Sequence, residues 1–170
     1  TENSPTSGEL YWIQVGLDID GEAEGDESGV SVSLSADGTV IAIGAHLNDG
    51  NGEKSGHVRV YQIAKRNPWV QQGLEILGNQ VINTLDDQSA CSTSISNNGD
   101  VIAIGSRSNN DAGLGNKSGN VLIYEKNDGL WKQKGFDIRG EAENDETGFS
   151  VSLNGNGNFV AVGSPQTLRY

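Results

Sequence analysis

The residues in this chain best equipped for chemistry are carboxylates, and their densest run occurs twice. Glu22, Glu24, Asp26 and Glu27 stand in Gly-Glu-Ala-Glu-Gly-Asp-Glu-Ser, and Glu141, Glu143, Asp145 and Glu146 stand in the near copy Gly-Glu-Ala-Glu-Asn-Asp-Glu-Thr. A second polar run, Asn48, Asp49, Asn51 and Glu53, follows the first at a distance. Oxygen donors gathered in this way can dock a cation or a basic partner. They can equally solubilise loops and cap turns, and both readings stand at this level. A pair such as Asp26 and Glu27 has the residue types for glycoside chemistry. Its recurrence argues against that, because a catalytic pair is normally unique. Asn48-Asp49-Gly50-Asn51-Gly52 resembles a fragment of a calcium loop but lacks the distal bidentate Glu, so it reads as a turn.

The other candidates are fewer. His46 and His57 are the only histidines, and Arg107 and Asn120 replace them in the second copy of the surrounding pattern. With no His/Cys cluster, a zinc centre is not expected. No Gly-x-Ser-x-Gly elbow and no Ser–His–Asp spacing is present. The lone Cys91 excludes an internal disulfide. It takes the place of Val30 and Phe149 and reads as a small buried hydrophobe. Trp12, Trp69 and Trp131 share one repeat position, which favours packing over sugar stacking. Asn116-Lys117-Ser118 is an N-glycosylation sequon, meaningful only in a chain secreted by a eukaryote.

These residues hang on a repeat. Residues 29–61, GVSVSLSADGTVIAIGAHLNDGNGEKSGHVRVY, return altered at 90–124 and begin again at 148–164. Each copy predicts a short alternating strand, a Gly-centred hairpin turn and an apolar strand covered on both sides. A polar loop and a third strand then follow. A fourth strand is predicted at each Trp, over 12–19, 69–76 and 131–138. The period is roughly 60 residues. Lys65 to Pro68 and Asn127 to Gly129 read as turns into the Trp strands. Small hydroxyls such as Ser31 and Ser33 leave room for a neighbouring sheet. One strand buried on both faces demands face-to-face stacking of the sheets. The fold class is therefore all-β: consecutive four-stranded antiparallel blades of a partial β-propeller. In such blades the link between blades and the second-to-third strand loop emerge on one side, gathering the carboxylates named above.

The chain carries 23 Asp and Glu against 11 Lys and Arg, a formal charge of −12. That argues against a nucleic-acid or anionic-membrane surface, which needs clustered Lys and Arg. No apolar run approaches the roughly 20 residues of a membrane span. The sequence contains no Met, so the expectation is that a targeting segment was removed or that the chain was cut from something longer.

The pattern Gly-Val-Ser-Val at 29–32 and Gly-Phe-Ser-Val at 148–151, followed by Ala-Ile-Gly-Ala at 42–45 and Ala-Val-Gly-Ser-Pro at 161–165, is similar to the FG-GAP repeat of integrin α-chain propellers. The W-x-Q-x-G and GEAxxDxSGxSVSL segments resemble still more the repeats of large secreted or surface proteins of marine bacteria and diatoms. The resemblance spans residues 11–170. It implies a propeller fold but no particular ligand. Many blades of that family carry an Asp-rich calcium turn between the first two strands. Here Ser35-Ala36-Asp37-Gly38, Ser96-Asn97-Asn98-Gly99 and Asn154-Gly155-Asn156-Gly157 stand there instead, so calcium is disfavoured at these turns and no cofactor is expected.

The organisation expected is a tail over 1–10, an outer strand and acidic link over 11–28, blade repeats over 29–78 and 79–140, and an incomplete third repeat over 141–170. The function expected is a non-catalytic module that binds protein or glycan through Glu22, Glu24, Asp26, Glu27, Asp49, Glu53, Glu141, Glu143, Asp145 and Glu146. The alternative is a structural subunit or spacer of a larger assembly, with an enzyme on the scaffold third. A secreted or cell-surface location is expected, or an organelle lumen. Because propellers close with at least four blades, a protein partner or further blades should cover the open edges. Expressed alone, the segment should oligomerise or aggregate.

Overall fold

The computed structural model describes residues 12–64, 69–77, 89–110 and 114–165. The expected tail, the turn at 65–68 and most of the longer link that opens the second repeat lie outside them. All regular structure among the described residues is β-strand. Blade 1 comprises β1 (Ser31–Leu34), β2 (Val40–Ala45), β3 (His57–Ile63), β4 (Trp69–Gln71) and β5 (Ile76–Leu77). Blade 2 comprises β6 (Ser92–Ile95), β7 (Val101–Ser106), β8 (Asn120–Asn127), β9 (Leu130–Gln133) and β10 (Ile138–Arg139). Blade 3 begins with β11 (Ser150–Leu153) and β12 (Val160–Gly163). All strand pairings among the described residues are antiparallel, and the register repeats: Ser31 faces Gly44, Ser92 faces Gly105 and Ser150 faces Gly163.

The hairpin turns follow their residues. Gly38, Gly99 and Gly157 adopt φ of 69°, 77° and 69°, a left-handed region open to Gly without steric cost. At the other tight connection, Asp128 and Gly129 both have positive φ, and Asn127 pairs Leu130 across a two-residue turn. β7 is buried along its whole length, as is β2 apart from Ile41. β12 is only half-buried.

Two expectations about the Trp strands need correction. In blades 1 and 2 the outer strand is not continuous but broken into two short pieces, β4 and β5, then β9 and β10. Both pieces pair with the same third strand. The break falls at Gly73 and Gly135, whose φ of 76° and 79° lifts the chain off the ladder. The segment 12–19 forms no strand at all. Its local geometry is nevertheless that of an outer strand: Gly16 has φ 79°. Gln14 donates to Asp18 at 2.8 Å, just as Gln133 donates to Asp137 at 2.7 Å. What it lacks is a third strand beside it to supply the ladder bonds.

The blades stack face to face. On its back face blade 1 presents Val40, Ala42, Val58, Val60 and Ile76, which pack against Ile95, Ile102, Ile104, Tyr124 and Trp131 of blade 2. Serines on the inner strands bond across the junctions. Ile95 N donates to Ser33 Oγ at 3.0 Å and Leu153 N to Ser94 Oγ at 2.9 Å. Ser31 Oγ donates to Ala90 O at 3.0 Å and Ser92 Oγ to Gly148 O at 2.8 Å. Turns join too: Ala36 N donates to Asn97 O and Asn97 N to Gly155 O. Gly44 and Gly105 are obligatory here, since a Cβ at either would strike Ala90 O or Gly148 O of the next blade.

At the outer rim, Trp131 Nε1 donates to Gln72 O at 3.1 Å and Trp69 Nε1 to Val15 O at 3.0 Å. Those two tryptophans tie neighbouring outer segments together, while Trp12 is fully exposed. Cys91, read from the sequence as a small buried hydrophobe, is only partly so. It sits in the turn before β6, half-buried, its Sγ 3.3 Å from Gly105 O, and its counterparts Val30 and Phe149 are exposed. Position in the repeat does not bury these residues; a covering blade does.

Candidate functional site

Each acidic link is a run of turns docked on a loop between second and third strands, as the up-and-down topology requires. Residues 20–28 lie on the loop 46–56: Leu47 N donates to Asp26 O, and Asn48 Nδ2 to Asp26 Oδ2 at 2.8 Å. Residues 140–147 lie on the loop of blade 2. There Asn144, Glu146 and Thr147 donate backbone N–H groups to Asn116, Lys117 and Ser118. The two acidic runs therefore sit on the loops of successive blades, the first ahead of blade 1 and the other between blades 2 and 3.

Within each run the carboxylates divide. Asp26 and Asp145 are buried and accept bonds from their own links, Asp26 from Ala23 N and Asp145 from Glu141 N and Ala142 N. Glu27 and Glu146 take left-handed φ of 53° and 52°, and their carbonyls accept from Val30 N and Phe149 N to close the link. Asp49 accepts from Lys54 N at 2.8 Å, within its own turn. Glu24, Glu53, Glu141 and Glu143 are exposed, with Glu143 lying over Gly115. Asn116 is exposed as well. Asn48 Oδ1 accepts from Gly50 N at 2.8 Å, the self-bonding of an Asx turn.

At the hairpin turns the first-to-second strand oxygens serve the turn itself. Asp37 Oδ1 accepts from Thr39 N, Thr39 Oγ1 and Ser35 Oγ. Those bonds, the Thr39 amide foremost, hold its carboxyl below the usual range. Asn98 and Asn156 play the same part in the next blades.

Glu22 behaves differently. Its Oε2 accepts from Asn48 Nδ2 at 3.3 Å and lies 3.7 Å from His57 Nδ1, while Oε1 is 4.0 Å from Arg59. Glu75, in the break of the outer strand, brings its Oε2 to 3.9 Å from the same Nδ1. His57 opens β3 and is 1% exposed. Among the described residues, neither of its ring nitrogens has a hydrogen-bond partner. Burial drives its pKa below the ordinary value, with Glu22 and Glu75 opposing that and Arg59 adding to it. Arg59 donates through Nη2 to Asp20 O at 2.7 Å and Ser28 Oγ at 3.2 Å, while its Nη1 stays beside Glu22.

Reading the sequence missed His57 and Glu75 as neighbours of Glu22. The available signal was departure from the repeat: Asn120 and Asp137 stand at those positions in blade 2, and Leu122 stands where blade 1 has Arg59. The other histidine, His46, lies 3.6 Å from Glu27.

Compared with known proteins, residues 18–61 match a family model described as FG-GAP repeat. That stretch runs from the end of the first Trp segment through the acidic link to Tyr61 in β3. No curated protein matches the chain.

Proposed function

We propose that this FG-GAP-like repeat protein, built of consecutive propeller blades, is a non-catalytic module that binds a protein or glycan partner through its acidic loop edge. One observation carries the reading. The links and the second-to-third strand loops are bonded to one another, so exposed Glu22, Glu24, Glu53, Glu141 and Glu143 project from preorganised turns. A preorganised edge loses little conformational freedom on binding. With a net charge of −12, it favours basic partners. Such a module fits a secreted or cell-surface protein, with an organelle lumen as the alternative.

The test is capture of partners by immobilised chain, comparing the native protein with E22Q/E24Q/E53Q and E141Q/E143Q variants. Loss of the same partners from both variants supports the reading. Unchanged capture by folded variants refutes it.

A second reading, a structural subunit or spacer, has its own observation. The front face of blade 1 leaves Val32 61% and Leu34 57% exposed, and Phe159 of blade 3 is 74% exposed. Leu17, Leu74 and Phe136, at one repeat position just past the left-handed glycines, also project from the outer rim. Further blades or another subunit would cover such faces. Sedimentation separates the readings: concentration-dependent assembly favours the second, and a stable monomer that still captures partners favours the first.

A further inference from the structure

We propose that Glu22, His57 and Glu75 of blade 1 bind a divalent transition-metal cation, with His57 Nδ1 and one oxygen from each carboxylate as ligands. The three donor atoms lie within 4.8 Å of one another. The imidazole nitrogen is 3.7 Å from Glu22 Oε2 and 3.9 Å from Glu75 Oε2. Those separations are too long for hydrogen bonds. They suit ligands that share one ion, since atoms each about 2.1 Å from a common metal lie roughly 3 to 4 Å apart.

A second observation, independent of the carboxylates, is the imidazole itself. It is 1% exposed, and among the described residues neither nitrogen has a hydrogen-bond partner. Buried polar groups are ordinarily satisfied, so an imidazole left in this way and facing two carboxylates needs an explanation. A cation supplies one, since neutral imidazole is a ligand and protonated imidazole is not.

The fold holds the donors in place. Pairing of Val58 with Ile76 and His57 with Leu77 sets Glu75 beside the start of β3. Glu22 is steadied by the Asn48 amide, which is itself held by buried Asp26. Blade 2 has Asn120 and Asp137 in place of His57 and Glu75, so the imidazole corner is particular to blade 1.

One nitrogen and two carboxylate oxygens form a borderline set that suits zinc and its first-row neighbours. Calcium, which takes six to eight oxygens, suits it less. Arg59, 4.0 Å from Glu22 Oε1, lowers the affinity without blocking the corner, because its guanidinium bonds the link backbone. The expectation of no zinc centre was drawn from His and Cys alone, whereas the corner proposed here adds two carboxylates.

The experiment is calorimetric titration of the whole chain, freed of metal by chelation, with zinc chloride. Wild type should bind one zinc per chain. His57→Asn, which installs the residue of blade 2, should weaken binding at least about tenfold. Glu75→Gln, at a partly exposed site, should do the same with its circular dichroism unchanged, and remains informative if His57→Asn folds poorly. His46→Asn and Cys91→Ser should bind as wild type. Wild-type zinc binding by both His57→Asn and Glu75→Gln, or no binding by the native chain, overturns the proposal.

Discussion

Blades 1 and 2 share strand order and register, yet their front faces differ. In blade 2 that face carries Ile95, Ile102, Ile104 and Tyr124, packed into blade 1, with buried Leu122 at the position of Arg59. In blade 1 the same positions hold Leu34, Ile41, Ile43, Tyr61 and Arg59, and the inner-strand residues Val32 and Leu34 remain exposed. Arg59, buried like Leu122, reaches instead to the backbone of the acidic link, with His57 beside it. The back faces do not diverge in this way: Ser33 and Ser94, Gly44 and Gly105 make the same contacts at both junctions. The scaffold is therefore written in the back faces and turns, where geometry tolerates little change. Individual chemistry sits where a front face and its link depart from the repeat.

The strongest way to break this comparison is to cut equivalent apolar residues from the two front faces. Ile104→Ala in the packed face should cost about 2–5 kcal/mol. Leu34→Ala in the exposed face should cost under about 1 kcal/mol. Urea denaturation checks both, and equal losses would mean that the front of blade 1 is covered after all. Next comes the junction glycine. Gly105→Ala drives a Cβ into Gly148 O and should cost about 1–3 kcal/mol. Gly163→Ala, which meets only its own blade at Ser150, should cost less in the same assay.

Smaller effects sharpen the picture. Ser94→Ala removes the acceptor for Leu153 N and should destabilise by about 1–3 kcal/mol if that amide is then left unsatisfied. Hydrogen exchange should show the β6–β11 junction loosening first. Arg59→Leu moves the residue of blade 2 into blade 1. Because a buried charge gives way to an apolar group, global stability should change by less than about 1 kcal/mol. The link at 20–28 loses its tether and should be cut sooner by protease. The smallest change concerns Cys91, whose thiol pKa burial pushes upward. The protonated thiol then persists through neutral pH, and alkylation should accelerate only as pH rises into the alkaline range. Labelling of the native chain at neutral pH should be at least about tenfold slower than in denaturant.

Much of this was legible in the residues. Asn-Gly and Asp-Gly turns, the VIAIG strands and the Ser-rich inner strands each have a local physical cause, and a repeated local cause declares a repeated blade. The Trp segments were harder, because alternation of apolar residues predicts a strand while the left-handed glycine that interrupts it acts at one position. The acidic links were legible as carboxylates, but which of them would be buried was not. Asp26 and Asp145 go inward because turns close around them, while Glu22 goes to His57 because the loop beside it carries Asn48.

By itself, then, the sequence determined the blade: strand order, turn chemistry, the small residues at junctions and the negative charge of the loops. These depend on spacing of a few residues and on side-chain size, which the chain states directly. Tertiary structure alone decided which faces are covered, that segment 12–19 keeps the shape of an outer strand without its ladder, and that Glu22, His57 and Glu75 meet. Those three stand far apart in sequence and come together only where a link, a third strand and the break in an outer strand pack at one corner. Their proximity belongs to the packing of the elements, and no local pattern carries it.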